Sequence, residues 1–345
     1  MRLDIYKRMR IALDAMGGDD GLEANIEGAG MALETLPSIE KLYLIGDQQK
    51  IKVALNKHSI STEKIAIAHA SEIVEMNESP AKAIRRKKDS SISVATDLVK
   101  SGTCEAVVSA GNTGAAVTAA TLKLRNLNGI DRAGIASPIP NEYGVSYIMD
   151  AGANPEAKPR HLLQYAIMGS VYSNYVHGKK NPKIGLMSNG AEEEKGTAFT
   201  KEVFGLLKES NLNFIGNIEG HDLFSKEVDV VLCDGFTGNI VLKTCEATAK
   251  AVAKWISEEI QKNTMGKIGG ALVKPAFKAA MARGSYEEYG GSPLLGTNGV
   301  CIIAHGGSSP LAIKNAIRVA AESITRRINP HIEEEIAKLS FPSSV

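Results

Sequence analysis

Apolar residues in this chain recur in two alternating rhythms. Short, continuous aliphatic runs predict strands at Ile11–Leu13, Lys41–Ile45, Lys64–Ala68, Ala106–Ser109, Gly134–Ser137, Val145–Met149, Lys183–Met187, Phe214–Ile218, Val228–Cys233 and Val300–Ala304. Between most of them, helical patterns are predicted over Leu22–Leu36, Ser91–Lys100, Thr113–Arg125, His161–His177, Thr197–Lys208, Asn239–Lys262 and Pro310–Arg327. Strands that are apolar throughout, rather than at every second position, are buried on both faces. That pattern belongs to a mostly parallel sheet covered by helices. The expected class is α/β, doubly wound, with ligands received outside the carboxyl ends of the strands.

Those carboxyl ends share a composition. DAMGGD (Asp14–Asp19), SAGNTG (Ser109–Gly114), DAGAN (Asp150–Asn154), SNGA (Ser188–Ala191), DGFTGN (Asp234–Asn239) and HGGSS (His305–Ser309) each follow a predicted strand. A glycine turn that opens a helix aims backbone N–H groups and the positive end of a dipole at one spot. Glycine permits close approach and φ > 0, while Asn and Thr donate or cap. Gly111, Asn112, Thr113 and Gly114 therefore suit an anion, or else make a simple helix cap. Two of the turns share G-x-T-G after a β run, through a weak duplication or one solution used twice. Six such turns should converge at one edge of the sheet, and that convergence is the main sign of an active site.

The charged and amide residues refine this. Lys195, in NGAEEEKG, could meet a phosphate as a point charge; alternatively it is a solvated lysine paired with Glu192 or Glu193. Asn239 and Lys243 lie four apart and so share a helix face. Asp150 and Asn154 bracket their turn. Asp234 is either a cap or an orienting group, and Cys233 beside it reads as core packing. His305 ends a strand before Gly-Gly, a position for an acid, base or donor that a structural histidine would also occupy.

Several chemistries lose their support. No G-x-G-x-x-G, P-loop, H-E-x-x-H or G-x-S-x-G spacing is present, which leaves free phosphate or a phosphorylated small molecule as the anion. The four cysteines lack a C-x-x-C spacing, fitting reduced thiols in a cytosolic protein rather than a zinc site. Lys plus Arg number 40 against 39 Asp plus Glu, so no global field argues for nucleic acid. No run approaches the ~18 apolar residues of a membrane span. The expected organisation is one domain over 9–330, a basic leader 1–8 without a signal-peptide core, and a C-terminal tail 331–345 that frays at its end. Two basic regions interrupt the rhythm. One is Arg85-Arg86-Lys87-Lys88, a solvated face or a docking patch. The other is an amphipathic excursion over 263–285, where Leu272, Val273 and Phe277 interleave with lysines and Pro275 should break or kink a helix.

In order, DAMGGD, SAGNTGA, DAGAN, NGAEEEKG, DGFTGN with Leu242-Lys243, YGGSPLLG (Tyr289–Gly296) and AHG (Ala304–Gly306) resemble the phosphate acyltransferase (PlsX) family of bacterial phospholipid synthesis. The likeness runs from Met9 to about Arg327, leaving the leader outside it. SNGA differs slightly from the family's variants of that turn, which leaves the role of Asn189 open. The resemblance implies transfer of a long acyl chain from acyl-carrier-protein thioester to inorganic phosphate, giving acyl phosphate. A membrane acyltransferase then passes the acyl group to glycerol 3-phosphate. It further implies a three-layer α/β/α sandwich similar to the phosphotransacetylase and isocitrate dehydrogenase type, usually a homodimer, cytoplasmic and peripherally membrane-associated, without cofactor or metal.

That chemistry suits the residues. Phosphate is already an anionic nucleophile, and a thiol with pKa ~8.5 leaves without a strong acid. Positioning and fixed donors for an oxyanion then suffice. On this reading Lys195, Asn239, His305 and Asp234 are catalytic. Gly111, Asn112, Thr113, Gly114, Asn154, Asn189, Gly238 and Lys243 hold phosphate or substrate. Arg85, Arg86, Lys87 and Lys88 dock the acidic carrier, and Leu272, Val273 and Phe277 touch the membrane, with dimer packing the alternative for that segment. The rival enzyme is a nicotinamide-dependent dehydrogenase of the isocitrate type, which needs a metal-binding acid cluster and a nucleotide pocket. The rival non-enzyme is a membrane-docked scaffold that recruits the carrier.

Overall fold

The computed structural model describes residues 9–283 and 286–339; the leader 1–8, the last part of the excursion and the final residues of the tail lie outside them. Twelve strands are present among the described residues: β1 Met9–Asp14, β2 Ile39–Gly46, β3 Ile65–His69, β4 Ala106–Ser109, β5 Gly134–Ile135, β6 Ser137–Asn141, β7 Gly144–Met149, β8 Ile184–Met187, β9 Phe214–Ile218, β10 Val230–Leu232, β11 Ser292–Leu295 and β12 Val300–Ile303. They form two sheets rather than one. The first runs β3-β2-β1-β4-β12-β11-β5 and the second β6-β7-β10-β8-β9. Five neighbours in the first sheet (β3 to β12) and four in the second (β7 to β9) are parallel, as the continuous apolar runs require.

Three packed clusters hold these sheets. Ile11, Leu13, Leu42 and Leu44 pack with Ile313 and Ile317 on one side of the first sheet, while Ala12, Val107 and Ile45 join the cluster that also takes Ile148 and Val231 of the second. The third holds Leu162, Tyr165, Met168 and Leu186. It also takes Ile332 and Ile336 from the helix Ile328–Ile336, so packed structure continues past residue 330 into the expected tail. The fully buried Ile and Leu side chains of these layers each contribute roughly 1.5–3 kcal/mol.

Two antiparallel strands join the sheets and escaped the sequence pattern. β6 is SPIPN and β11 is SPLL; proline cannot donate to a ladder, and both sequences look like turns. β6 is nonetheless an edge strand, where missing donors are tolerated. Ser292 Oγ donates to Ser137 Oγ at 3.2 Å, and Ala136 N–H to Pro293 O at 3.0 Å, tying β11 to the β5–β6 crossing.

Two long helices, Gly235–Gln261 and Thr264–Arg283, lie largely outside these cores; in the first, only Gly235 and Gly238 are buried, while Val241 and Leu242 pack against the shared cluster. The second continues through Pro275, where the sequence predicts a break. The ring forfeits one ladder bond, and the segment is exposed, so water can take the carbonyl left behind.

Candidate active site

The registers align the strand ends. Asp14 of β1 pairs with Ser109 of β4, and Ser109 with Ile303 of β12; Met149, Leu232 and Leu186 stand level in the second sheet. The glycine turns therefore meet as two walls.

The first wall is stitched around Asp14. Its buried carboxylate accepts from Ser109 Oγ at 2.7 Å. Burial pushes this carboxyl above its ordinary range, against the hydroxyls of Ser91 and Ser109 that favour the charge. A β-carbon on Gly17 would lie 2.7 Å from the Gly111 nitrogen, so these two turns can touch only as glycines. Gly111 N–H donates to Ser109 Oγ at 3.1 Å, and Asp19 N–H to Gly306 O at 2.8 Å. Asn112 caps the helix Thr113–Ala119, its Oδ1 accepting from Ala115 N–H at 3.0 Å. Its Nδ2 donates to the carbonyls of Glu75, Met76 and Glu78 at 3.0–3.3 Å. Gly114 packs under Pro80.

The second wall centres on Asp150, wholly buried and accepting four backbone N–H groups, from Ile135, Gly152, Ala153 and Asn154, at 2.6–3.1 Å. Desolvation still raises its carboxyl above the usual range, with those bonds acting the other way. Asp234 caps the helix Gly235–Gln261, its two oxygens accepting from Thr237 N–H at 2.9 Å and Thr237 Oγ1 at 2.7 Å. A β-carbon on Gly238 would lie 2.0 Å from the Asp150 carbonyl oxygen, so this glycine seats the helix against the turn. The same contact brings Asn239 beside Gly152. Asn154 directs its amide to Tyr165 and His161, and its carbonyl accepts from Gly235 N–H.

Between the walls opens a cleft of about 880 Å³. Thr113, Asn239, Lys243 and His305 line it together, as do Glu246 and Lys250. His305 is half-buried. Its Nδ1 accepts from Gly307 N–H at 3.1 Å, which places the proton of the neutral ring on Nε2. Burial, with Lys243 and Lys250 nearby, holds this imidazole below its ordinary pKa, against Glu246 and Asp19. Lys243 pairs with Glu246 at 2.9 Å. The rest of the cleft is mostly apolar, with Ile135, Pro138, Ile139 and Ile303 from the strands and Leu242 and Met281 from the helices, although Lys278, Glu287 and Glu288 also line it.

The other expected site residues stand apart from this lining. Gly111, Asn112, Gly114, Asn154, Asp234 and Gly238 form the framework behind it. Lys195 and Asn189 occupy the turn after β8, beside β10 in the sheet; both are exposed. Glu193 pairs with Lys208 instead of Lys195, and Lys195 makes no ion pair among the described residues. Lys87 turns inward to Glu78 and Ile73 O, at 2.7 and 2.6 Å, while Arg85, Arg86 and Lys88 face solvent. Leu272 and Val273 are exposed, and Phe277 is half-buried. Sequence reasoning missed Glu246 and Lys250, although Asn239, Lys243, Glu246 and Lys250 follow the spacing of a single helix face. All four cysteines are free thiols. No group of three His, Cys, Asp or Glu side chains among the described residues could hold a metal ion.

A family described as fatty acid synthesis protein matches residues 9–330. The chain is 54% identical over 337 residues to a phosphate acyltransferase of Akkermansia muciniphila, covering 96% of this chain and 97% of that one. It is 47% identical over 328 residues to one of Geobacter sulfurreducens, covering 95% and 94%. Among solved structures it resembles a phosphotransacetylase from Streptococcus pyogenes (TM-score 0.60, 16% identity, 93% and 94% covered). It also resembles the EutD phosphotransacetylase from Staphylococcus aureus (TM-score 0.56, 15% identity, 92% and 94% covered). At such identities these two likenesses concern the fold, which is the α/β sandwich expected from the sequence.

Proposed function

Starting from the chain's membership of the phosphate acyltransferase family, an enzyme family that transfers acyl groups to phosphate in fatty acid and phospholipid synthesis, we propose that its donor is an acyl-acyl-carrier-protein and its product the acyl phosphate used to make phosphatidic acid. The observation that carries this reading is the cleft: a mostly apolar trough that also brings together Thr113, Asn239, Lys243 and His305. A long acyl chain fits the apolar part, and a phosphate with a thioester fits beside these four residues.

The phosphate sits by Thr113 and Lys243, with Lys195 adding positive charge from the neighbouring strand end. A phosphate oxygen attacks the thioester carbonyl, a C–O bond forms, and the carbonyl oxygen gains the charge. Asn239 Nδ2 and the Nε2–H of His305 donate to that oxyanion, where fixed donors are most effective. Collapse breaks the C–S bond, and the carrier leaves as a thiolate that takes a proton from water. No protein nucleophile enters, consistent with four thiols, Cys245 of the cleft lining included, whose burial raises their pKa.

Partners follow from surfaces. Arg85, Arg86 and Lys88 offer an acidic carrier a basic face next to the loop that Asn112 ties down, with Lys87 reserved for Glu78. Met265, Ile268 and Leu272 form an exposed stripe at helical spacing on Thr264–Arg283, with Val273 beside it; no described helix is long and apolar enough to cross a membrane. We take this helix as the peripheral contact with the bilayer, where a membrane glycerol-3-phosphate acyltransferase would receive the product, and the working unit as a homodimer of a single catalytic domain. The test is phosphate-dependent release of free carrier thiol from an acylated carrier protein, with acyl phosphate trapped by hydroxylamine. Thiol release independent of phosphate would refute the assignment.

A further inference from the structure

The acyl end of the cleft has a definable stop. We propose that Phe224 closes it and sets the chain length this enzyme prefers; the inference rests on the acyl-transfer reading above. The floor begins at His305 after β12, steps to Ser292 of β11, crosses the Ser292–Ser137 hydrogen bond onto β6, and follows β6 to Pro140. Phe224 lines the cleft beyond that point, on the short helix Asp222–Ser225 packed against β6.

Three features make the ring a wall. Its backbone is fixed, because Phe224 O accepts from Glu142 N–H at 3.0 Å, at the far end of the β6–β7 hairpin from the reacting groups. The neighbouring Leu223 is buried in the core and anchors the turn. Phe224 is 46% exposed, an aromatic residue held beside a mostly apolar trough instead of packed away. Pro138 and Pro140 remove two N–H donors from the adjoining strand, so that stretch of floor suits a hydrocarbon better than a polar chain.

The geometry gives a length. Two strand spacings of ~4.8 Å and three residues at ~3.3 Å each make a path of about 20 Å. An extended chain advances ~1.2 Å per bond, a third of the ~3.6 Å spanned by one fully extended residue. The trough therefore holds on the order of 16 carbons, with the carboxyl end at His305 and Asn239 and the methyl end at Phe224.

The test measures kcat/KM for acyl phosphate formation across saturated acyl-carrier substrates from short to long, in the full-length protein and in Phe224→Ala and Phe224→Trp. Removing the ring should raise the ratio of chains two carbons longer to 16-carbon chains roughly tenfold, and the larger ring should shift preference to shorter chains by a similar factor, at the lower end of what one methylene is worth in an apolar pocket. Thermal unfolding of both variants checks the fold, and the opposite shifts expected of them separate a stop from general loosening. Active variants with the wild-type length profile would overturn this inference alone. A wild-type protein that forms no acyl phosphate from any chain would overturn the acyl-transfer reading and this inference with it.

Discussion

Replacing Asn112 by Ala separates a ligand from a strut. The structure gives this amide two structural duties: Oδ1 caps the helix Thr113–Ala119, and Nδ2 serves the carbonyls of Glu75, Met76 and Glu78. Losing an N-cap costs ~1 kcal/mol, and each net hydrogen bond about 0.5–1.5 kcal/mol. Counting the cap and two full bonds, Asn112→Ala should destabilise the protein by about 2–4 kcal/mol in urea unfolding. Asn112→Asp keeps the cap oxygen but sets a carboxylate against three carbonyls, so it should recover little of the loss. Because Met76 lies against Gly306, beside His305, the loosened loop should lower kcat while the KM for phosphate changes little. A variant of unchanged stability with a strongly raised KM for phosphate would refute this reasoning and return Asn112 to direct phosphate binding.

Three further outcomes are expected. His305 is held below its ordinary pKa, so its ring should titrate below pH ~6.5 in NMR; the stability this group contributes is present above its unfolded pKa and lost as pH falls through the lower folded value, and His305→Gln, which keeps a side-chain N–H donor, should retain more acyl transfer than His305→Ala. Lys195→Ala should lower kcat/KM for phosphate by about two- to fivefold, the scale of an exposed charge acting without direct contact, and wild-type turnover at low phosphate would remove it from the site. Leu272→Glu with Val273→Glu should abolish sedimentation with anionic liposomes while activity in solution persists; unchanged sedimentation would count against the bilayer contact.

The strands and the turns they run into were legible because buried parallel strands and glycine-bearing ends both leave local patterns. β6 and β11 were not, since SPIPN and SPLL owe their strand pairing to distant partners. The division into two sheets was hidden for the same reason. Thr113, Asn239, Lys243 and His305 come together as their strand-end positions suggest, whereas the partners of Asn112 lie 34 to 37 residues away and the inward turn of Lys87 depends on Glu78. The repeated G-x-T-G proves unequal in space. It follows β4 in one sheet and β10 in the other, and the caps fall at Asn112 and Asp234, in different registers of the motif.

Direct attack by phosphate is the central claim, and rapid mixing of enzyme with acyl-carrier substrate in the absence of phosphate tests it most directly. The account predicts no burst of free thiol and no acyl label on the protein, with both thiol and acyl phosphate appearing only when phosphate is added. A burst equal to the enzyme concentration, with the acyl group attached to the chain, would contradict it.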